Sequence, residues 1–271
     1  MAFPIVNGPP QAELHTLLNS DGSATYTEPG STYKIIAGVN YPEEVPYRSD
    51  EIPESTFIDV NLRPHNGVGM VKERHVEELV KRTLQCIVLG DETPRMMLQA
   101  TLQVVGVQSD ESLPGGIKGG GQGETYLDIL PSAINAAVLG CIDAGVQMRT
   151  TVGAALIGID RDGLLILHPN VSQRKRSTSL HVFAFTSDGR VVLMESEGNF
   201  KTADWKRAEE VARSAVMGAS DVNKSNNNNK QNGDVSMNGN VTSESSAICV
   251  LDVIRKALEE RVIKDGRWRQ D

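Results

Sequence analysis

Apolar residues recur with helical spacing at Val76, Leu79, Val80, Thr83, Leu84, Ile87 and Val88, at i, i+3, i+4, i+7, i+8, i+11 and i+12. That is one continuous helix face, and Gly90 ends it. A second helix is expected from about Thr125 to Ala144, with Leu127, Leu130, Ile134, Ala137, Val138 and Cys141 on its apolar face and Gly145 at C′. A third begins near Thr202 with Trp205, Ala208, Val211, Ala212 and Ala215 aligned, and a last one carries Ile248, Leu251, Ile254, Leu258 and Val262. Between these, period-two patterns predict strands. Ser23 to Thr27 and Thr32 to Tyr41 read as a hairpin, and Thr56 to Leu62 as a half-buried strand. In Arg95 to Val107, Leu98, Ala100, Leu102 and Val104 alternate with Gln99, Thr101 and Gln103. Two more hairpins follow: Val152 to Ile159 with Leu164 to Leu167, and Leu180 to Phe185 with Val191 to Met194.

The polar stretches set the boundaries. Residues 1–20 hold Pro4, Pro9 and Pro10 with little periodicity and read as an irregular lead-in, and Pro42 to Pro53 reads as an exposed loop. Residues 219–246 contain Asn226-Asn227-Asn228-Asn229 among further Asn, Ser and Gly. Such a segment cannot bury enough apolar surface to offset its ordering entropy, so a disordered insertion is expected there. The expectation is one domain from 21–218 plus 247–265, with residues 266–271 as a tail. Strands, helix, strand, helix, two hairpins and two helices require helices to cover sheet faces, which is an α+β fold of mixed sheets packed with helices.

Composition narrows the function. Among 271 residues, 27 Lys and Arg face 35 Asp and Glu, a formal net charge of −8, which argues against a free-standing nucleic-acid binder. The scattered Cys86, Cys141 and Cys249 suggest neither a disulfide framework nor a zinc site. No apolar run approaches the roughly 18 residues of a membrane span, and the first residues lack signal-peptide order, so no membrane partner and a reducing intracellular compartment are expected.

Candidate chemistry is sparse. Gly115 to Gly123 is glycine-dense and leads into a helix, but no Gly-Lys-Ser/Thr follows at P-loop spacing and Glu124 already occupies the positive helix end. His15, His65, His75, His168 and His181 form no metal spacing. His181, within an apolar strand, reads as a hydrogen-bonded core residue. Basic residues gather at Arg63, Lys72, Arg74, Lys81 and Arg82, and at Arg174-Lys175-Arg176. The first set reads either as a solvated helix face interleaved with Glu73, Glu77 and Glu78, or as phosphate contacts within a larger assembly. The second reads as a surface turn or as a further set of phosphate contacts.

The segment Ser132-Ala133-Ile134-Asn135-Ala136-Ala137-Val138-Leu139-Gly140-Cys141-Ile142-Asp143-Ala144-Gly145 resembles the central helix of the ribonuclease PH family. Asp21-Gly22-Ser23-Ala24, Val60-Asn61-Leu62-Arg63-Pro64, Lys72-Glu73-Arg74 and Ser196-Glu197-Gly198-Asn199-Phe200 are similar to other family stretches, so the resemblance spans about residues 12–218 and the last helix. It implies the ribonuclease PH fold (ribosomal protein S5 domain 2-like) and an ancestry among phosphorolytic 3′-to-5′ exoribonucleases. In active members a Thr/Ser-Arg-Thr/Ser phosphate clamp precedes the central helix; the matching positions here are Ile129, Leu130 and Pro131. Two metal-supporting aspartates map onto Gln173 and Ser179, and no Asp or Glu occurs from Gly163 to Thr186.

The resemblance therefore implies a non-catalytic ring subunit of the eukaryotic RNA exosome, without cofactor or metal, in the nucleus, nucleolus and cytoplasm. Implied partners are other ribonuclease PH-like ring subunits, cap subunits with RNA-binding domains, and single-stranded RNA in the assembled channel. Arg63, Lys72, Arg74 and Arg82 are the implied RNA contacts, with Arg174, Lys175 and Arg176 as a second set. The alternatives are an active phosphorolytic exoribonuclease, another exosome ring subunit, or a free homodimeric nucleic-acid binder.

Overall fold

A computed structural model describes residues 5–29, 33–107, 125–218 and 249–267. The glycine-dense loop and the whole Asn-rich insertion, residues 219–246, expected from the sequence lie outside the described residues. The first half builds β1 (Ile5–Val6), β2 (Gln11–Leu14), β3 (Gly22–Thr27), β4 (Tyr33–Glu44), β5 (Phe57–Arg63), α1 (Val71–Ile87) and β6 (Met96–Val107). After a 3-10 turn at Tyr126–Asp128 come α2 (Leu130–Asp143), β7 (Val152–Asp160), β8 (Leu165–Leu167) and α3 (Val171–Arg176). Strands β9 (Ser177–Thr186) and β10 (Val191–Gly198) and helices α4 (Thr202–Met217) and α5 (Val250–Asp265) complete it.

Two five-stranded sheets result, in the orders β2-β3-β4-β6-β5 and β1-β8-β7-β9-β10. Among the described residues only β5 with β6 and β1 with β8 run parallel, so both sheets are mixed. Helices α1 and α2 lie between the sheets, while α4 packs on the far side of β7 and β9 and α5 packs beside it on β7 and β2. This layering explains the strand patterns. β4 and β6 alternate because one face is open, whereas β7 and β9 are buried almost throughout because helices cover both faces.

Helix α2 is the centre of the core, with every residue from Leu130 to Cys141 buried. That explains why the stretch Tyr126–Asp143, with mean hydropathy 1.2, reaches the length and apolarity of a membrane span. The sequence had suggested no run of that kind. Gly140 lets α2 approach β4, because a Cβ there would stand 2.8 Å from Val39 Cγ2. Asn135 is fully buried and treats β7 as a neighbouring strand would. Its Nδ2 donates to the Ala154 carbonyl at 2.9 Å and its Oδ1 accepts from the Ala154 N–H at 2.8 Å. At the other end of α2, Asp143 accepts from the Ser23 N–H at 2.8 Å and lies 3.8 Å from Arg261 of α5.

Three expectations are corrected. The lead-in is not irregular throughout, since β1 pairs with Ile166 and Leu167 of β8, and β2 pairs with β3. Residues 171–176 form a helix rather than a loop. The last helix buries Val250, Leu251, Val253, Ile254 and Ala257, but Val262, expected on the same face, is 69% exposed.

Candidate nucleic-acid interface

The cations around α1 gain their exposure from where the neighbouring acids turn. Glu73 is buried, and its Oε2 accepts from the Met70 N–H at 2.8 Å, capping the helix start. Glu77 Oε1 accepts from the Leu62 N–H at 2.7 Å and so closes part of the β5 edge. Glu78 pairs with Arg82 at 2.9 Å along the helix surface. Each acid is thus engaged with backbone or with Arg82. Arg63, Lys72 and Arg74 are exposed, and Arg63 and Arg74 make no ion pair among the described residues. Lys81 is half-buried, with its ammonium 4.9 Å from the Phe57 ring centroid.

The segment leading into α1 is also apolar at its surface. Val68 is 82% exposed, Met70 65% and Val71 83%. One turn on, the exposed His75 ring meets Tyr126 edge to face, with centroids 4.7 Å apart and planes at 79°. The Tyr126 hydroxyl donates to Glu195 Oε2 of β10 at 3.2 Å. Burial, and secondarily the Glu195 charge, push the phenol up to about 12.

The second basic set separates. Arg176 is exposed and Lys175 half-buried, but Arg174 is buried and does not face solvent. This corrects the reading of Arg174 as a surface contact. Its Nε donates to the Pro169 carbonyl at 2.8 Å, Nη2 to Glu28 Oε2 at 3.3 Å, and Nη1 stands 3.6 Å from Asp128 Oδ1. The guanidinium lies 5.2 Å from the Tyr33 ring centroid, and His168 Nδ1 lies 3.6 Å from Glu28 Oε1. Burial by itself would lower the Arg174 pKa, but Glu28, Asp128 and Tyr33 together more than offset it and raise it. Burial raises the Asp128 carboxyl above the usual carboxylate range against the opposing pull of Arg174.

This cluster sits beside Ile129, Leu130, Pro131, Gln173 and Ser179, the positions to which the sequence resemblance assigns the phosphate clamp and the carboxylates. Asp128 immediately precedes Ile129, the N-cap residue of α2, and Leu130 and Pro131 are buried in its first turn. Gln173 precedes Arg174, and its Oε1 accepts from Asn7 Nδ2 and from the Asn170 N–H, each at 2.8 Å. The Ser179 hydroxyl stands 3.0 Å from His181 Nε2, and the Ser196 hydroxyl lies 2.9 Å from His181 Nδ1. Both ring nitrogens of the fully buried His181 are therefore partnered, and burial pushes its pKa down to about 4. His181 is the hydrogen-bonded core histidine expected from its strand. Among the described residues no three His, Cys, Asp or Glu side chains cluster as a metal site would. Sequence reading missed Glu28, Asp128, His168 and Tyr126, because each acquires its role from a partner far along the chain and none lies in a recognisable spacing.

Comparison with known proteins gives the family and the fold. The model of the 3′ exoribonuclease family, domain 1 (RNase PH), matches residues 9–147. The exosome complex component RRP46 of Saccharomyces cerevisiae is 30% identical over 197 residues, covering 70% of this chain and 82% of its own. The exosome complex exonuclease RRP46 homolog of Arabidopsis thaliana is 30% identical over 175 residues, 64% of each chain. The crystal structure of rice (Oryza sativa) Rrp46 superposes with a TM-score of 0.65 at 23% identity, over 82% of this chain and 94% of that one, which shows a shared fold.

Proposed function

The chain belongs to the ribonuclease PH family of 3′ exoribonucleases, and on that premise we propose that it is a non-catalytic ring subunit of an RNA exosome core. Its place is that of the RRP46-type subunit, beside other ribonuclease PH-like subunits and under RNA-binding caps, in the nucleus, nucleolus and cytoplasm. Its role is to shape the channel that leads single-stranded RNA to 3′-to-5′ processing. The observation that carries the reading is the α2 entrance. Ile129, Leu130 and Pro131 offer no charged fork for phosphate, and the guanidinium of Arg174 is paired with Glu28 and with Asp128, the residue before Ile129. Gln173 and Ser179 supply no carboxylate where metal-assisted transfer would need one, and both are tied into local hydrogen bonds.

RNA contact falls to Arg63, Lys72, Arg74 and Arg82 around α1, with Lys175 and Arg176 less central. Contacts of this kind hold the backbone without reading sequence. Affinity purification of the tagged full chain should recover ring and cap subunits of ribonuclease PH and RNA-binding type. The purified chain should release no nucleoside diphosphates from RNA in inorganic phosphate. Release of diphosphates, lost on substitution of a residue in this chain, would instead establish the active exoribonuclease that the name of the Arabidopsis relative describes.

A further inference from the structure

We propose that the start of α1 and the Tyr126 turn form a base-stacking platform for unpaired RNA, in addition to the phosphate-binding cations beside them. The inference rests on the ring-subunit reading and adds to it a second kind of contact, made by rings and apolar side chains. Four observations converge on one surface. His75 is exposed and its ring is braced edge to face by Tyr126, so the imidazole is held in one orientation before any ligand arrives. Tyr126 is itself fixed through its hydroxyl to Glu195. Val71 precedes His75 by four residues, so the two lie one above the other on the same helix face, and Val71 is 83% exposed. Exposed Met70 and Val68 extend the apolar strip, and the exposed cations Arg63, Lys72 and Arg74 flank it.

Rings and apolar side chains bordered by cations suit a single-stranded nucleic acid. Bases present π-faces of any sequence to the rings while the phosphates meet Lys and Arg. Charge complementarity favours a polyanion over an apolar protein segment, because Arg63 and Arg74 make no ion pair among the described residues and suit phosphates. A duplex would keep its bases stacked on each other and unavailable to His75. The carboxylates give the platform a direction. Glu195 and Glu197 on β10 lie on the Tyr126 side and repel phosphate, so the backbone follows α1 and the bases turn toward Tyr126.

The test uses the full-length chain in the reconstituted complex, with an oligouridylate carrying 4-thiouridine, and reads peptide-resolved adducts on this chain alone. Adducts are expected on peptides containing His75 and Tyr126. His75→Ala should lower their yield by at least about five-fold. His75→Phe, which keeps a ring, should restore it. Lys72→Ala and Arg74→Ala should instead flatten the salt dependence of the yield, which His75→Ala leaves unchanged. The platform is overturned if adducts on this chain fall elsewhere, if His75→Ala leaves the yield unchanged, or if a protein segment occupies the strip in the complex. A chain that enters the complex but takes no adduct overturns the platform and leaves the ring-subunit reading standing. A chain that fails to enter the complex overturns both.

Discussion

Burying a guanidinium costs several kcal/mol unless its charge and its donors are both answered. At Arg174 the answers come from Glu28, Asp128 and the Pro169 carbonyl, so the cluster ties β3, the turn before α2, and α3 together. Arg174→Ala would leave two carboxylates buried without their cation. We expect it to destabilise the fold by about 3–5 kcal/mol in urea unfolding. Arg174→Met combined with Glu28→Gln and Asp128→Asn should recover most of that loss, because the uncompensated charges are removed with the pair. His181 carries the opposite logic. Its pKa falls from 6.5 to about 4 on folding, so the unfolded chain binds the proton more readily. The contribution to stability is complete above pH 6.5 and drains away as pH falls through 6.5 towards 4, by about 2–3 kcal/mol. Unfolding free energies compared at pH 7.5 and pH 5 should show this slope, and His181→Gln should flatten it. The charges of Arg174-Lys175-Arg176 were legible in sequence, but their burial was not. The carboxylate that draws Arg174 inward lies 146 residues away.

Among the elements, α1 and α2 were the most legible. Their apolar spacing reports burial directly, and Val76, Leu79, Val80, Leu84 and Ile87 are all buried as the α1 pattern predicts. The strands β3 to β10 were placed to within a few residues for the same reason. β1, β2 and α3 were not, because each is short and depends on a distant neighbour for its hydrogen bonds. β1 pairs with β8, and α3 is tied to the chain start by Gln173 Oε1 accepting from Asn7 Nδ2, 166 residues away. Asn135 shows the same dependence inside a well-read helix. Its type marks the family's central motif, yet its function, closing the Ala154 backbone, is visible only once α2 lies on β7. Asn135→Leu would leave one buried donor and one buried acceptor unpaired, at a cost of about 2–4 kcal/mol. Hydrogen exchange should report it as lost protection at the Ala154 amide.

Over the whole molecule the net charge of −8 is unevenly spread. Glu43 and Glu44 at the end of β4, Asp50, Glu51 and Glu54 in the following loop, and Asp91 and Glu92 before β6 gather at one end of the first sheet. Arg63, Lys72 and Arg74 lie at the other end, where β5 passes into α1. A chain that is acidic overall therefore presents a cationic end. The isolated protein should bind oligouridylate weakly, with log K falling against log salt at a slope no steeper than about −2, as for some three phosphates at about 0.7 each. The assembled complex should be steeper. The sequence by itself determined the alternation of helices and strands and the family, because periodicity and residue type are local properties. Tertiary structure decided which charges face water, because burial is set by contacts between distant segments. It turned Arg174 inward beside the first turn of α2, engaged Glu73 and Glu77 with backbone, and set His75 against Tyr126 at the surface.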